Sequence, residues 1–583
     1  MKIIEKIKTN SYNKYTLALI GAIIGFIVFI LIYGFNALNP LNEQFVIHGY
    51  LEKDIAQHYA GWQLYRNSPW QFPLGVGSNI EFPYGSSVSY TDSIPLFAIL
   101  FKIISPILPA TFQYFGLFVM LCFILQGAFG ALIVSIFSEN KIFCSISSLF
   151  FVLSPVMIDR AFRHCALSAH FLILASIYYY FKNTRNNDKS YIPFYIINAV
   201  AITIHPYFLP FTFAIMFAFA LEDFFIYKNK LKSIIHIFLS IATTLLIGYI
   251  IGAFYNKGGM SALGYGYFSM NLNSYFNPIS VNFDNWSKFL NPRPVIGGQV
   301  EGFNYLGISI LIITFIGTIL TLIKNRKDIL NFIKNYFGII FSAICLLIFA
   351  VGNILTYGGL QLFKFPISEN IIIKYFNIFR ANGRFGWLLF YLFFIFAIYC
   401  VQKYANKNNL SIIIISLFIV LQIIDISDVL INKHQYFYEN SQNHSQNVEL
   451  VAKHPFWEET VQKVDGVLEM ESEQGYMFGN GLIDIASMCG KYSKYINSTF
   501  AARTSVVKRK EFIDYQKSLL SNNQPDNLLY VVEETKLFDN LIQSGICQSF
   551  EVDRQLVVIP SIYSEDEINN FINLGNFKQI IIQ

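Results

Sequence analysis

The stretch Tyr15-Thr-Leu-Ala-Leu-Ile-Gly-Ala-Ile-Ile-Gly-Phe-Ile-Val-Phe-Ile-Leu-Ile-Tyr-Gly-Phe35 contains no charged side chain. A helix of about 20 apolar residues spans the hydrocarbon core of a bilayer. Lys2, Lys6, Lys8 and Lys14 precede the run, and no small-residue cleavage site follows it. It therefore reads as an uncleaved first span with a cytoplasmic N-terminus, not as a signal peptide. Comparable runs follow at roughly 111–137, 142–158, 166–182, 191–205, 207–227, 233–255, 304–323, 336–357, 385–402 and 410–431. The expected fold is mainly α, a polytopic membrane protein of about eleven transmembrane helices.

Composition points the same way. Of the 583 residues 54% are hydrophobic and only 14% charged, against about 25% charged in soluble proteins. A soluble enzyme, a disordered chain and a secreted disulfide scaffold are excluded. The charge is divided unevenly. Residues 432–583 carry 13 basic and 20 acidic side chains, which leaves 29 basic and 17 acidic in residues 1–431. A basic membrane part is what the positive-inside rule produces, and the short loops bearing Lys141, Lys182, Lys228, Lys324 and Lys403 thread consistently to the cytoplasm. A full span at 94–105 would reverse every later loop, so that segment is expected to be a short half-inserted or surface helix. No basic stripe suggests nucleic acid.

The expected domains are residues 1–431, a transmembrane domain with long extracytoplasmic loops at 36–93, 256–303 and 358–384, and residues 432–583, a small extracytoplasmic α/β domain. In the latter, β-type runs such as Leu528–Val532 and Gln555–Ile559 alternate with helical segments at 508–520 and 564–573. The Asn-rich stretch 439–447 reads as a linker. Cys489 and Cys547 are either a disulfide or two separate thiols. The predicted location is a bacterial inner (cytoplasmic) membrane.

Elaboration on one face marks where chemistry happens. In the first long loop, residues Tyr50 to Tyr65 read as an amphipathic helix on the membrane surface. Asp54 and His58 stand i, i+4 and share one face. A carboxylate beside an imidazole is suited to take a proton from an incoming hydroxyl; an incidental pair on a solvated face is the alternative. Asp92 with Ser93 precedes Pro95 and an apolar helix, as an N-cap or as a second candidate acid. Asp159, Arg160, Arg163 and His164 lie between the third and fourth spans. One acid with two fixed cations suits a phosphate or pyrophosphate, with interfacial snorkelling as the alternative. His205-Pro-Tyr207 is a turn whose imidazole is either structural or a ligand. Arg380 and Arg384 flank an Asn-Gly turn at the mouth of the tenth helix. A helix N-terminus with two guanidinium forks is a candidate phosphate clamp; head-group anchoring is the alternative. The chain has no Walker loop, no His-Glu-x-x-His and no CxxC. No cluster of carboxylate ligands calls for a metal, so no cofactor is expected and a divalent metal is not favoured.

The runs His58-Tyr-Ala-Gly-Trp62, Tyr90-Thr-Asp-Ser-Ile-Pro95, Phe112-Gln-Tyr-Phe-Gly116, Leu153-Ser-Pro155, His205-Pro-Tyr207 and Phe379-Arg-Ala-Asn-Gly-Arg-Phe385 resemble a family of bacterial polytopic membrane proteins similar to GT-C glycosyltransferases. The likeness covers nearly the whole chain. It implies transfer of a sugar from a polyprenyl-phosphate carrier, with inversion, to a glycan or lipid-linked acceptor outside the cytoplasm. It implies an acidic base in the first external loop, here Asp54 or, second, Asp92, and a phosphate held by Arg380 and Arg384 with Arg160 and Arg163 behind them. The first loop lacks the pair of adjacent acids that many such enzymes show. A polysaccharide polymerase is the alternative enzyme. A lipid-linked glycan transporter is the alternative from another class, but the symmetric broken helices of transporters are missing.

Overall fold

The computed structural model describes residues 2–49, 54–185, 189–255, 264–281, 284–324, 326–405, 407–439, 449–470, 482–499, 501 and 506–581. The chain is mainly helical, with a small C-terminal sheet. Among the described residues six helices are long and apolar enough to cross a membrane: Lys14–Tyr33, Phe115–Val134, Pro206–Phe225, Lys230–Ile250, Asn382–Tyr404 and Asn408–Tyr438. Three shorter apolar helices, Lys141–Val152, Ile192–Ile204 and Phe337–Val351, fall on other expected spans.

Local chemistry explains some of the short ones. The run 142–158 breaks at Leu153 because Ser154 caps a new helix, accepting from the Met157 N–H, and Pro155 occupies its first position. The segment at 94–105 forms a helix of nine residues, Pro95–Ile103, about 14 Å long and so half a bilayer.

The chain forms two compact units. The first comprises Met1–Asn39, Phe115–Ile247 and Ser261–Asn440. In it the first helix packs closely on Phe115–Val134. A Cβ on Gly21 would stand 2.3 Å from the Gly127 carbonyl oxygen, and one on Gly25 would stand 2.1 Å from that of Phe123. Only glycine permits that approach, the small-residue packing that joins helices in lipid. Above the contact Phe29, Tyr33, Phe123, Phe162 and Phe437 form a tilted and edge-to-face aromatic cluster.

The second unit comprises Pro40–Tyr114, Gly248–Met260 and Ser441–Gln583. Its sheet contains β1 (Gly466–Glu469), β2 (Tyr495–Ile496), β3 (Leu528–Val532), β4 (Cys547–Val552), β5 (Gln555–Pro560) and β6 (Phe577–Ile580), in the order β6-β4-β5-β3-β1-β2. β1 is parallel to β2 and β3; the remaining pairs are antiparallel. The central β3 is buried throughout, as a strand covered on both faces must be. The α/β reading of the tail is correct, with helices at Val506–Ser521 and Glu565–Asn573. Cys489 and Cys547 are both buried free thiols. The linker expected at 439–447 lies, apart from Glu439, outside the described residues.

The first loop folds with this sheet. Ile80 bridges Ile496, the Phe82 N–H donates to the Ile496 carbonyl at 3.0 Å, and the Phe82 ring stacks on Tyr495 at 3.7 Å. The helix Asp54–Arg66 packs against Ile483–Lys491. Every residue of it after Asp54 is buried, so the expectation of an amphipathic surface helix is corrected. Its polar side chains are engaged inside the unit: Arg66 donates to the carbonyl oxygens of Ser105, Leu108, Pro109 and Ala110, and Gln63 to that of Ala110. These bonds make burial of a polar helix tolerable. Tyr50 to Lys53, part of the same expectation, lie outside the described residues.

Candidate functional site

In the first unit three short segments meet. The helix Pro155–Arg160 carries Asp159 and Arg160 and leads to Arg163 and His164. A 3₁₀ turn, Gly297–Gly302, carries Glu301. A second 3₁₀ turn, Asn382–Gly386, carries Arg384 and runs into the helix Trp387–Tyr404. The turns touch through glycine: a Cβ on Gly383 would stand 2.6 Å from the Gly302 Cα and 2.9 Å from the Phe268 carbonyl oxygen. Buried amides fix them further. Asn382 donates to the carbonyls of Phe349 and Ala350 and accepts from the Gly266 N–H, while Asn304 donates to the carbonyls of Gly302 and Gly383.

The result is a charged cluster centred on Glu301. Arg160 Nη1 donates to Glu301 Oε2 at 2.9 Å and its Nη2 to the Glu301 carbonyl at 3.3 Å. Arg384 donates to the same Oε2 from Nη2 at 2.8 Å and from Nε at 3.3 Å. His164 Nε2 lies 3.9 Å from Oε1. Arg163 pairs with Asp159 at 3.0 Å, and Arg160 Nε lies 3.6 Å from the same carboxylate oxygen. Arg160 is fully enclosed; the Glu301 and His164 side chains keep 13% and 17% of their surface, so the cluster opens at their end.

Burial alone would raise the Glu301 carboxyl, but the guanidiniums of Arg160 and Arg384 hold it well below its ordinary value. Burial lowers Arg160 to about 10, which leaves it charged at neutral pH. Burial also drives His164 well below its ordinary value, so it is a neutral imidazole there. Among the described residues these ion pairs join three guanidiniums, of Arg160, Arg163 and Arg384, to two carboxylates, of Asp159 and Glu301. Planar guanidinium forks are suited to a phosphate or pyrophosphate oxygen, and of the three Arg384 is the least enclosed, at 10% exposure.

Arg160, Arg163, His164 and Arg384 are therefore brought together. Arg380 is not part of the cluster's ion pairs. It is exposed, with its guanidinium 6.0 Å from the Phe268 ring. His205 Nδ1 accepts from the Tyr207 N–H and caps the turn that follows, the structural role weighed for it. Tyr207 links that turn to the site: its hydroxyl accepts from the Ala381 N–H, and its ring lies 5.1 Å from the Arg384 guanidinium. Among the described residues no group of three or more His, Cys, Asp or Glu side chains is placed to hold a metal ion.

The remaining candidates belong to the second unit. Asp54 is the first described residue of its helix and is partly buried; His58, one turn on, is buried, and its carbonyl accepts from Ser93 Oγ at 2.7 Å. Asp92 is not an N-cap. The helix begins after Ile94, which takes the N-cap position, and Asp92 sits in a left-handed conformation with φ +53°.

Two functional-looking acids escaped sequence reasoning. Glu301 stood in a Gly-rich aromatic loop where nothing marked it. Asp425 lies in the last apolar run, and an acid inside such a run is itself a signal. It accepts from the Tyr305 hydroxyl at 2.7 Å, the Ile308 N–H at 2.9 Å and the Ser287 hydroxyl, so it caps the helix Ile308–Lys324 from outside.

A family model described as a domain of unknown function (DUF6311) matches residues 22–427, more than half of the chain. The chain belongs to the DUF6311 family. The DUF6311 match contains Asp54, Asp92, Arg160, Glu301, Arg384 and Asp425, and it ends before the six-stranded sheet. No curated protein matches the chain.

Proposed function

We propose that this DUF6311 protein is a membrane glycosyltransferase of the GT-C kind. In this reading it has about eleven spans in a bacterial inner membrane, with a cytoplasmic N-terminus and the C-terminal sheet outside. It moves a sugar from a polyprenyl-phosphate carrier to an envelope glycan or lipid-linked acceptor at the extracytoplasmic face.

The observation that carries the reading is the buried cluster of three guanidiniums, Arg160, Arg163 and Arg384, held on Glu301 and Asp159. Glycosyl transfer from a phosphate needs developing negative charge on the leaving oxygen to be met by fixed donors. Glu301 holds two guanidinium forks in one orientation, which preorganises them. In the reaction a carboxylate, Asp54 first and Asp92 second, accepts the acceptor hydroxyl proton. The acceptor oxygen bonds to the anomeric carbon as the bond from that carbon to the phosphate oxygen breaks, the configuration inverts, and the carrier phosphate departs with the electron pair. None of these steps requires a metal, because the guanidiniums neutralise the leaving group.

The test is transfer from radiolabelled polyprenyl-phosphate sugars to envelope glycan by the purified protein, beside Asp54→Asn, Asp92→Asn and Arg384→Lys. Expected is transfer by wild type, abolished in Asp54→Asn with unchanged thermal unfolding, and reduced in Arg384→Lys. Absence of transfer from every donor, with binding of lipid-linked glycan retained, would replace the reading with a transporter.

A further inference from the structure

The helix Pro95–Ile103 and the turn after it are inside out. Leu100, Ile103, Ile104 and Ile107 follow the i, i+3, i+4, i+7 spacing of one helix face, and all four are exposed, Ile107 to 82%. The one charged residue of the helix, Lys102, points inward at 3% exposure. Its ammonium lies 4.0 Å from the Tyr65 ring and 4.8 Å from the Trp70 ring and has no hydrogen-bond acceptor among the described residues. In water the opposite arrangement is favoured on both counts, because apolar surface is expelled and an ammonium is strongly solvated. Trp70, which meets Lys102, is itself exposed, and exposed Phe72 follows on the same loop.

The loop is tied to the end of a long apolar helix. The Leu74 N–H donates to the Ile250 carbonyl at 2.8 Å, and the Phe72 ring lies 5.4 Å from Tyr249. Tyr249 and Ile250 end the helix Lys230–Ile250, one of the six able to cross a membrane, and they belong to the same compact unit as the loop. The end of a span lies at the bilayer surface, the level at which Trp and Tyr collect.

We propose that Trp70, Phe72, Leu100, Ile103, Ile104 and Ile107 form a docking surface for the lipid bilayer, with the helix Pro95–Ile103 lying in the membrane interface, its aliphatic face in the acyl region. The surface seats the first-loop part of the unit, with the helix Asp54–Arg66, against the membrane without crossing it. The inference rests on the long apolar helices being membrane spans and does not depend on glycosyl transfer.

The test uses the full chain in liposomes. Ile103→Cys and Ile107→Cys are each labelled with a nitroxide in a Cys345→Ser background, since the other six native thiols are buried. Relaxation by oxygen exceeding that by a water-soluble nickel chelate, together with quenching by brominated lipid that falls in Trp70→Phe, is the expected result. Stronger relaxation by the nickel chelate at both positions would overturn the proposal and place the helix in water. Spin–spin broadening between labels would overturn it in favour of a second copy of the chain.

Discussion

Arg160 and Glu301 are 141 residues apart in sequence and joined by a 2.9 Å hydrogen bond on a guanidinium with no solvent exposure. The same carboxylate oxygen takes Arg384 at 2.8 Å. One acid thus serves two buried cations. Its removal leaves both uncompensated, and breaking a buried pair costs about 3–5 kcal/mol. Glu301→Gln is expected to lose about 3 kcal/mol at least, read as a large fall in the thermal midpoint of the detergent-purified protein. An unchanged midpoint would sink the idea that Glu301 is the shared counter-ion.

Gly383 and Gly302 bring the two 3₁₀ turns into backbone contact. Gly383→Ala places a methyl 2.6 Å from the Gly302 Cα, where the obstructing atoms are backbone and have little room to yield. Overpacking of this kind costs about 1–3 kcal/mol. The variant is expected to remain folded, with the Arg384–Glu301 pairing loosened and transfer reduced more than stability. Transfer equal to wild type in the assay above would show that the spacing of the turns is not critical.

Asp425 gathers three donors from two segments that precede and open the helix Ile308–Lys324. Asp425→Ala strands the Tyr305 and Ser287 hydroxyls and the Ile308 N–H, at about 1–3 kcal/mol for each group left unsatisfied. Asp425→Asn keeps one acceptor oxygen and is expected to fall between alanine and wild type in thermal unfolding. Equal midpoints for the two variants would contradict the capping role.

Glu81 ties the first loop to the segment after β2, accepting from the Thr499 N–H at 3.0 Å and hydroxyl at 2.6 Å. Burial raises its carboxyl to about 7, against the opposing pull of nearby Arg509 and the Thr499 bonds. A folded pKa above the unfolded one gives stability that is full below the unfolded pKa and lost as pH rises through the folded value. The second unit is therefore expected to lose stability between about pH 4.5 and about pH 7, on the order of 3 kcal/mol in all. Glu81→Gln should flatten that dependence while retaining the bonds to Thr499. A pH profile identical to wild type, followed by thermal unfolding across the same range, would remove Glu81 as its source.

Sequence alone determined the elements whose signal is local. Apolar runs such as 15–35 and 410–431 became long helices because backbone bonding within a helix needs no distant partner. The tail's strands and helices followed from periodicity, and the short helix at 95–103 from its length and Pro95. Arg160, Arg163, His164 and Arg384 were legible as costly charges near span ends. The tertiary structure alone decided what those charges do. Glu301 carries no local mark, and its role comes from a glycine contact between turns some 80 residues apart, which no spacing rule encodes. The same holds for the helix Asp54–Arg66, whose polar residues read as a wet surface face and are instead buried against Ile483–Lys491. Whether a polar side chain faces water or a buried carbonyl depends on which segments fold against it, and those lie hundreds of residues away.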